Sequence, residues 1–316
     1  MLQPDGEWAV AVNNTLRQRL FVAFDHIVTD VLREPSWKTW PSNPCAFALQ
    51  DRFRVAATAG DVNLLRTLHA AHEDVLAKPD EDVQGLRIIS WDDASLSSSE
   101  SALLQAAFQD DIGLTAHLLA PGDQKTVALQ RTIPRILDRL GDVLPTWEQE
   151  FRAMVRWIVL AESSEGGFAG ASAFAAWGAI LVNPEAQEDD LALLLTLIHE
   201  SSHMKLFCAY LDDEIVLNDL AETYSSPLRL EPRPMNGIYH AAYVLARMAC
   251  FAHDLRQSGR ATEVIGTAAD GLNLALQASV VGFGSALEVI RSHGKLTELG
   301  LSIIDEAAAG VKAIPT

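Results

Sequence analysis

The chain has 316 residues, 49% of them hydrophobic, with a mean hydropathy of +0.10, so it has the material for a sizeable core in one large domain or two modest ones. A formal charge of −18 and a pI near 4.8 argue against nucleic-acid backbones and anionic membranes as partners, because like charge repels both; a cationic peptide is easier to accommodate. Cys45, Cys208 and Cys250 are far apart with no CxxC, which suggests neither a disulfide framework nor a cysteine metal knuckle.

The opening MLQPDGEWAVAVNN shows no basic segment leading into an apolar run, and no stretch of about eighteen uncharged apolar residues occurs, so a soluble cytoplasmic protein is expected. Helical periodicity governs the first half: Leu16, Leu20, Phe24 and Val28 recur at multiples of four, followed by DVNLLRTLHAAHEDVLA and SESALLQAAFQDDIGLTAHLLA. Prolines within 34–44 and at Pro79 separate these helices, and LRIISW (86–91) reads as a short strand before a serine-rich loop that ends in a helix cap. Further on, VRWIVLAES (155–163) and AFAAWGAILVN (173–183) are rich in β-branched and aromatic residues around the glycine-bearing SEGGFAGAS, the pattern of a hairpin whose Trp157 and Trp177 pack the sheet. PEAQEDD, with Pro184 and its acidic residues, opens a helix over 188–210. The proline-rich SSPLRLEPRPMNG leads into the helix IYHAAYVLARMACFAHDLRQ, and the final helices include GLNLALQASVVGFGSALEVIRSH, apolar enough for burial on more than one side. The expectation is an α+β protein, mostly α-helical, with a small β-sheet packed against the 188–210 helix. A helical region over 1–145 and a second region over 146–316 form one compact body or two lobes.

The chemistry concentrates in LTLIHESSHMKLFCAYL (195–211). On a helix His199 and His203 are one turn apart on the same face, so both imidazoles reach one ion, while Glu200 lies about 100° round the axis beside it. Placing two imidazoles and a carboxylate behind LALLLTLI is costly unless something satisfies them. The third protein ligand is open between two candidates. Glu222 completes HExxH-x18-E, the spacing of glutamate-type zinc peptidases, in which Glu200 is the general base on zinc-bound water. His240 begins the helix after Arg233, Pro234 and Gly237. His26, His69, His72, His117, His253 and His293 have no partner spacing and read as surface or core residues.

HESSH followed by ETYSSPLRLEPRPMNGIYHAAYVLARMA (222–249) resembles the HExxH-motif peptide-modification proteins encoded beside ribosomally made peptide natural products, whose pattern has YxSPxRxxxRPxxGxxH after the HExxH. Tyr224, Ser226, Pro227, Arg229, Arg233, Pro234, Gly237 and His240 occupy those places, AWGAILVNPE resembles the strand before the motif helix, and Leu228 stands where the pattern usually has tryptophan. The resemblance covers roughly residues 150–260. It implies an Fe(II) and 2-oxoglutarate dependent dioxygenase that hydroxylates a side-chain β-carbon of a precursor peptide, using O₂ and releasing succinate and CO₂. It points to His199, His203 and His240 as metal ligands, with Glu222 the rival third, and leaves Glu200 to orient a ligand or meet the substrate. Arg233, Arg229 and, in reserve, Arg247 are the candidate anchors for the far carboxylate of 2-oxoglutarate, because a guanidinium fork matches it. The alternatives are the zinc peptidase and a non-catalytic peptide-binding module.

Overall fold

The computed structural model describes residues 1–34, 43–77, 85–109, 118–163, 167–226 and 231–315. Among the described residues helix accounts for 69% and strand for 9%, so the fold is α+β and mostly α-helical. From the N-terminus the elements are α1 (Gly6–His26), continued as a π-helical segment over Ile27–Leu32, α2 (Pro44–Thr58), α3 (Val62–Ala71), α4 (Glu73–Ala77), β1 (Arg87–Ser90), α5 (Ser98–Gln109) and β2 (Leu118–Leu119). The middle carries α6 (Asp123–Val143), α7 (Pro145–Met154), β3 (Trp157–Leu160), β4 (Glu162–Ser163), β5 (Gly170–Ser172) and β6 (Ala179–Val182). The remainder is α8 (Asp190–Ala209), β7 (Thr223–Tyr224), β8 (Arg233–Pro234), α9 (Met235–Gln257), α10 (Ala261–Ile265), α11 (Leu272–His293) and α12 (Glu298–Lys312). Two units are built from non-contiguous segments: Met1–Gly6, Thr132–Phe151 and Gln187–Thr316 in one, Glu7–Arg131 and Arg152–Ala186 in the other.

In the second unit a four-stranded sheet has the order β1-β3-β6-β5, and its core gathers Phe24, Leu49, Phe53, Leu65, Phe108 and Val159. The strand expected at 86–91 is β1, and α5 is entered by a reciprocal cap in which the Glu100 amide donates to Ser97 Oγ (3.2 Å) and the Ser97 amide to Glu100 Oε2 (2.9 Å). The expected hairpin is not formed. β3 and β6 run parallel, with Trp157 opposite Ala179, and it is β5 that pairs antiparallel with β6. Both parallel strands are buried at all four positions, and two-faced burial gives the continuous apolar runs that such strands carry whatever their direction. A turn through Ala173–Gly178, with Gly178 at φ 90°, brings β5 back along β6.

The first unit holds the HExxH helix. Asp189 caps α8 by accepting from the Ala192 amide (2.8 Å), whereas Pro184 starts a separate 3₁₀ turn over Pro184–Ala186. The helix is buried on nearly every side, as an all-round apolar sequence requires. It packs along α9, which also packs on α11 and α12, and the two-stranded ribbon β7–β8 runs directly into α9. The four-stranded sheet belongs to the other unit. α11 buries Leu276, Phe283 and Ile290 on one side only, and Leu274 and Val281 stay 72% and 68% exposed on the other, contrary to the burial on several sides that its composition suggested. By length and composition alone, Ala261–His293 is apolar enough to cross a membrane, and 33% of its most apolar window is buried within the protein.

Candidate metal centre

α8 and α9 run antiparallel through the site, because contacts that climb one helix descend the other: His203 meets His240, and His199 meets Met248. The Nε2 atoms of His199 and His203 are 3.2 Å apart. Two nitrogens each about 2.1 Å from one ion, at 90–110° to each other, lie roughly 3.0–3.4 Å apart, so this pair fits a shared ion. His240 Nδ1 lies 3.3 Å from His203 Nδ1, with the two rings stacked at 5.5 Å between centroids. His203 thus turns one ring nitrogen to each neighbouring imidazole. His240 stands beside the metal-capable group of His199, Glu200 and His203, stacked on His203, and is not itself within that group. Glu200 is the fourth polar group: its Oε1 is 4.0 Å from His199 Nε2, and one ligand atom each from His199, Glu200 and His203 lie within 4.8 Å of one another.

The electrostatics favour neutral imidazoles. Burial first, then the charges of His199, His240 and Arg233, hold His203 well below its ordinary range, and burial pushes His240 down to about 4. Metal ligation needs the unprotonated ring, so both are in the required form at neutral pH. His199 Nδ1 faces the Met248 thioether at 3.4 Å, a weak acceptor that suits a proton on Nδ1 and leaves Nε2 as the ligand atom. The His199 side chain is 39% exposed against 5% for Glu200, so small molecules can approach from the His199 side while Glu200 stays dry. The donor set therefore fits a first-row divalent ion of the kind that imidazole suits.

The other residues singled out in the sequence divide sharply. Glu222 is exposed, accepts from the Tyr224 hydroxyl (2.7 Å) and faces Lys295 Nζ (3.9 Å); it does not join the histidine group. Arg233 sits in β8 opposite Tyr224, its aliphatic chain lies against Gly237 in the first turn of α9, and its charge reaches His203. α9 has no acidic residue in its first turn and no side-chain cap, so its amide end adds to the positive field around Arg233. Arg229 lies outside the described residues. Arg247 is fully buried and committed internally: it donates from Nε to Ser202 Oγ (3.1 Å), from Nη1 to the Leu2 carbonyl (2.8 Å) and from Nη2 to Glu150, with its guanidinium 4.7 Å from the Trp147 ring centroid. It has no fork to offer a cosubstrate in this arrangement, because the partners that hold it would be left buried and unpaired.

Sequence reasoning passed over the aromatic and sulfur neighbours of the histidines. Phe207 and Tyr210 place their rings 5.6 and 5.3 Å from His240, and the Tyr210 hydroxyl donates to Asn236 Oδ1 (2.6 Å). Their signal was available, since 203, 207 and 210 follow the i, i+4, i+7 spacing of one helix face. The class defined by fold and site is a mostly helical α+β protein with a His-Glu-His cluster able to hold a metal ion. Compared with known protein families and with curated proteins, the chain matches none.

Proposed function

We propose that this protein is an Fe(II) and 2-oxoglutarate dependent dioxygenase that hydroxylates a side-chain β-carbon of a ribosomally made precursor peptide in the cytoplasm. The observation that carries this reading is His240 beside His203, with Arg233 close enough for its charge to act there. The resemblance of HESSH and the 222–249 segment to the peptide-modification proteins supports it.

His199, His203 and His240 would hold the iron. Bound Fe(II) supplies the redox chemistry: O₂ and 2-oxoglutarate are consumed, one oxygen atom enters the peptide C–H bond, and the other enters succinate as CO₂ leaves. The guanidinium of Arg233, limited by Pro232 and Pro234 on either side, binds the distal carboxylate of the oxo acid together with the amide end of α9. Glu200, dry and beside His199, orients that ring or receives a donor group of the peptide. Phe207 and Tyr210 wall His240 and limit water there. The zinc-peptidase reading keeps Glu200 as a base but loses the support of its third ligand, since Glu222 is engaged with Tyr224 and Lys295.

The test is protein purified without oxygen, loaded with Fe(II) and given 2-oxoglutarate, O₂ and the precursor peptide encoded nearest its gene. The expected outcome is succinate in proportion to a gain of about 16 Da on an intact peptide. Peptide cleavage with zinc and no need for an oxo acid would replace this reading by the peptidase.

A further inference from the structure

We infer that Arg247 is a positioning residue for the metal centre: its bond to Ser202, steadied by Glu150, fixes the register of α8 against α9 and so sets where His240 stands relative to His199 and His203. The inference rests on the metal-centre reading above.

Besides the Tyr210 hydroxyl bond to Asn236 at the end of α8, three contacts mark the antiparallel register. Two involve the histidines, His203 with His240 and His199 with Met248. The third, Arg247 Nε to Ser202 Oγ at 3.1 Å, falls within the HExxH segment itself, between the two histidines. Sliding one helix by a turn moves its side chains about 5.4 Å, enough to carry His240 away from His203. Apolar ridges and grooves repeat along a helix, so neighbouring registers of an apolar pair compete closely; a buried, directional, charged bond has one register. Here the bond is multiplied. Glu150 of α7 accepts from Arg247 of α9 through Oε1 and from Lys205 of α8 through Oε2, so one carboxylate holds both helices. The carbonyls of Leu2 and Gln3 take further donors of the same two cations, and the Asp5 amide donates to Glu150 Oε2 (2.8 Å). Glu150, Lys205 and Arg247 are each at most 2% exposed, so a slipped register would strand a carboxylate and two cations away from water.

The experiment titrates the whole chain with Co(II), whose visible spectrum reports ligand geometry. Ser201 and Ser202 both donate to the Ile198 carbonyl, and among the described bonds only Ser202 also accepts from Arg247. Ser202→Ala should weaken Co(II) binding by about tenfold or more and alter the spectrum of the bound ion, whereas Ser201→Ala should leave both as in the wild type. Arg247→Lys keeps the charge but cannot serve Glu150 and Ser202 together, so it should match Ser202→Ala, and it decides the matter if that variant does not fold. Wild-type affinity and spectrum in Ser202→Ala or Arg247→Lys, or an equal disturbance in Ser201→Ala, would overturn the clamp while leaving the metal centre standing. Wild-type protein that takes up no Co(II) overturns the metal centre, and the clamp's role with it.

Discussion

Two polar clusters share the helix pair α8 and α9, and they are built on opposite terms. The histidine cluster, in which burial lowers the pKa of His203 and His240, opens outward at His199, which is 39% exposed. The Glu150–Lys205–Arg247 cluster is built of ion pairs and closed, and the donors described above end on a carboxylate, a hydroxyl or a main-chain carbonyl. Burial and the neighbouring Arg247 charge bring the Lys205 ammonium down to about 8, while Glu150 opposes that fall. The contrast separates polar groups that a protein buries to hold itself together from those that it leaves open on one side. The closed cluster binds its members to one another; the open one gathers ligand atoms that could hold a metal ion.

Removing one member of each cluster should break the comparison in opposite ways. Glu150→Ala leaves two buried cations facing each other, so urea unfolding of the metal-free protein should show a loss of about 3–5 kcal/mol. His203→Ala should cost under about 2 kcal/mol in the same assay, yet abolish stoichiometric metal, because one imidazole cannot be spared from the set. Equal stability losses in the two variants would mean that the histidine cluster is structural as well. His240→Ala should lose metal as His203→Ala does, while Glu222→Gln should keep most of it. Metal analysis showing the reverse would return the third ligand to Glu222.

Arg233→Lys probes the half-buried charge in β8 that acts on His203 at the edge of the open cluster. It keeps the positive charge and loses the fork, so the 2-oxoglutarate concentration needed for half-maximal turnover should rise about tenfold with metal content unchanged, as expected for one lost charged hydrogen bond. An unchanged requirement would exclude Arg233 as the anchor and direct attention to Arg229.

How much of this was legible in the sequence follows from the range of each signal. His199, Glu200 and His203 lie on one helix, and a fixed period of 3.6 residues places them without knowledge of the rest of the fold. The capped entry to α5 and the strand at 87–90 were equally local. His240 came from a resemblance rather than from spacing, because no periodicity links residues on two different helices. Arg247 shows the limit well: its place on the His240 side of α9 was readable, but its partners Glu150 and Leu2 come from distant segments, and a ligand role was inferred where an internal one is seen. The direction of β3 against β6 failed for the same reason. Four-residue apolar strands carry no mark of parallel or antiparallel pairing, which is decided by the chain between them.

The smallest expected effect is one of pH, and it sharpens the contrast between open and closed clusters. Both His203 and His240 titrate below their ordinary value of 6.5 in the folded protein, His240 at about 4, mainly because burial disfavours the charged ring. As the pH falls through 6.5 the unfolded chain takes up protons on these rings and the folded chain does not, so the unfolded state is favoured progressively. Metal-free protein should therefore be most stable above about pH 6.5 and lose stability steadily toward pH 4, visible as a falling urea midpoint. His240→Ala removes one of the two rings and should flatten that slope, whereas Glu222→Gln should not. A midpoint that stays constant or rises between about pH 7 and pH 5, or a slope that His240→Ala leaves intact, would show that burial does not hold these rings below their ordinary pKa in the folded protein.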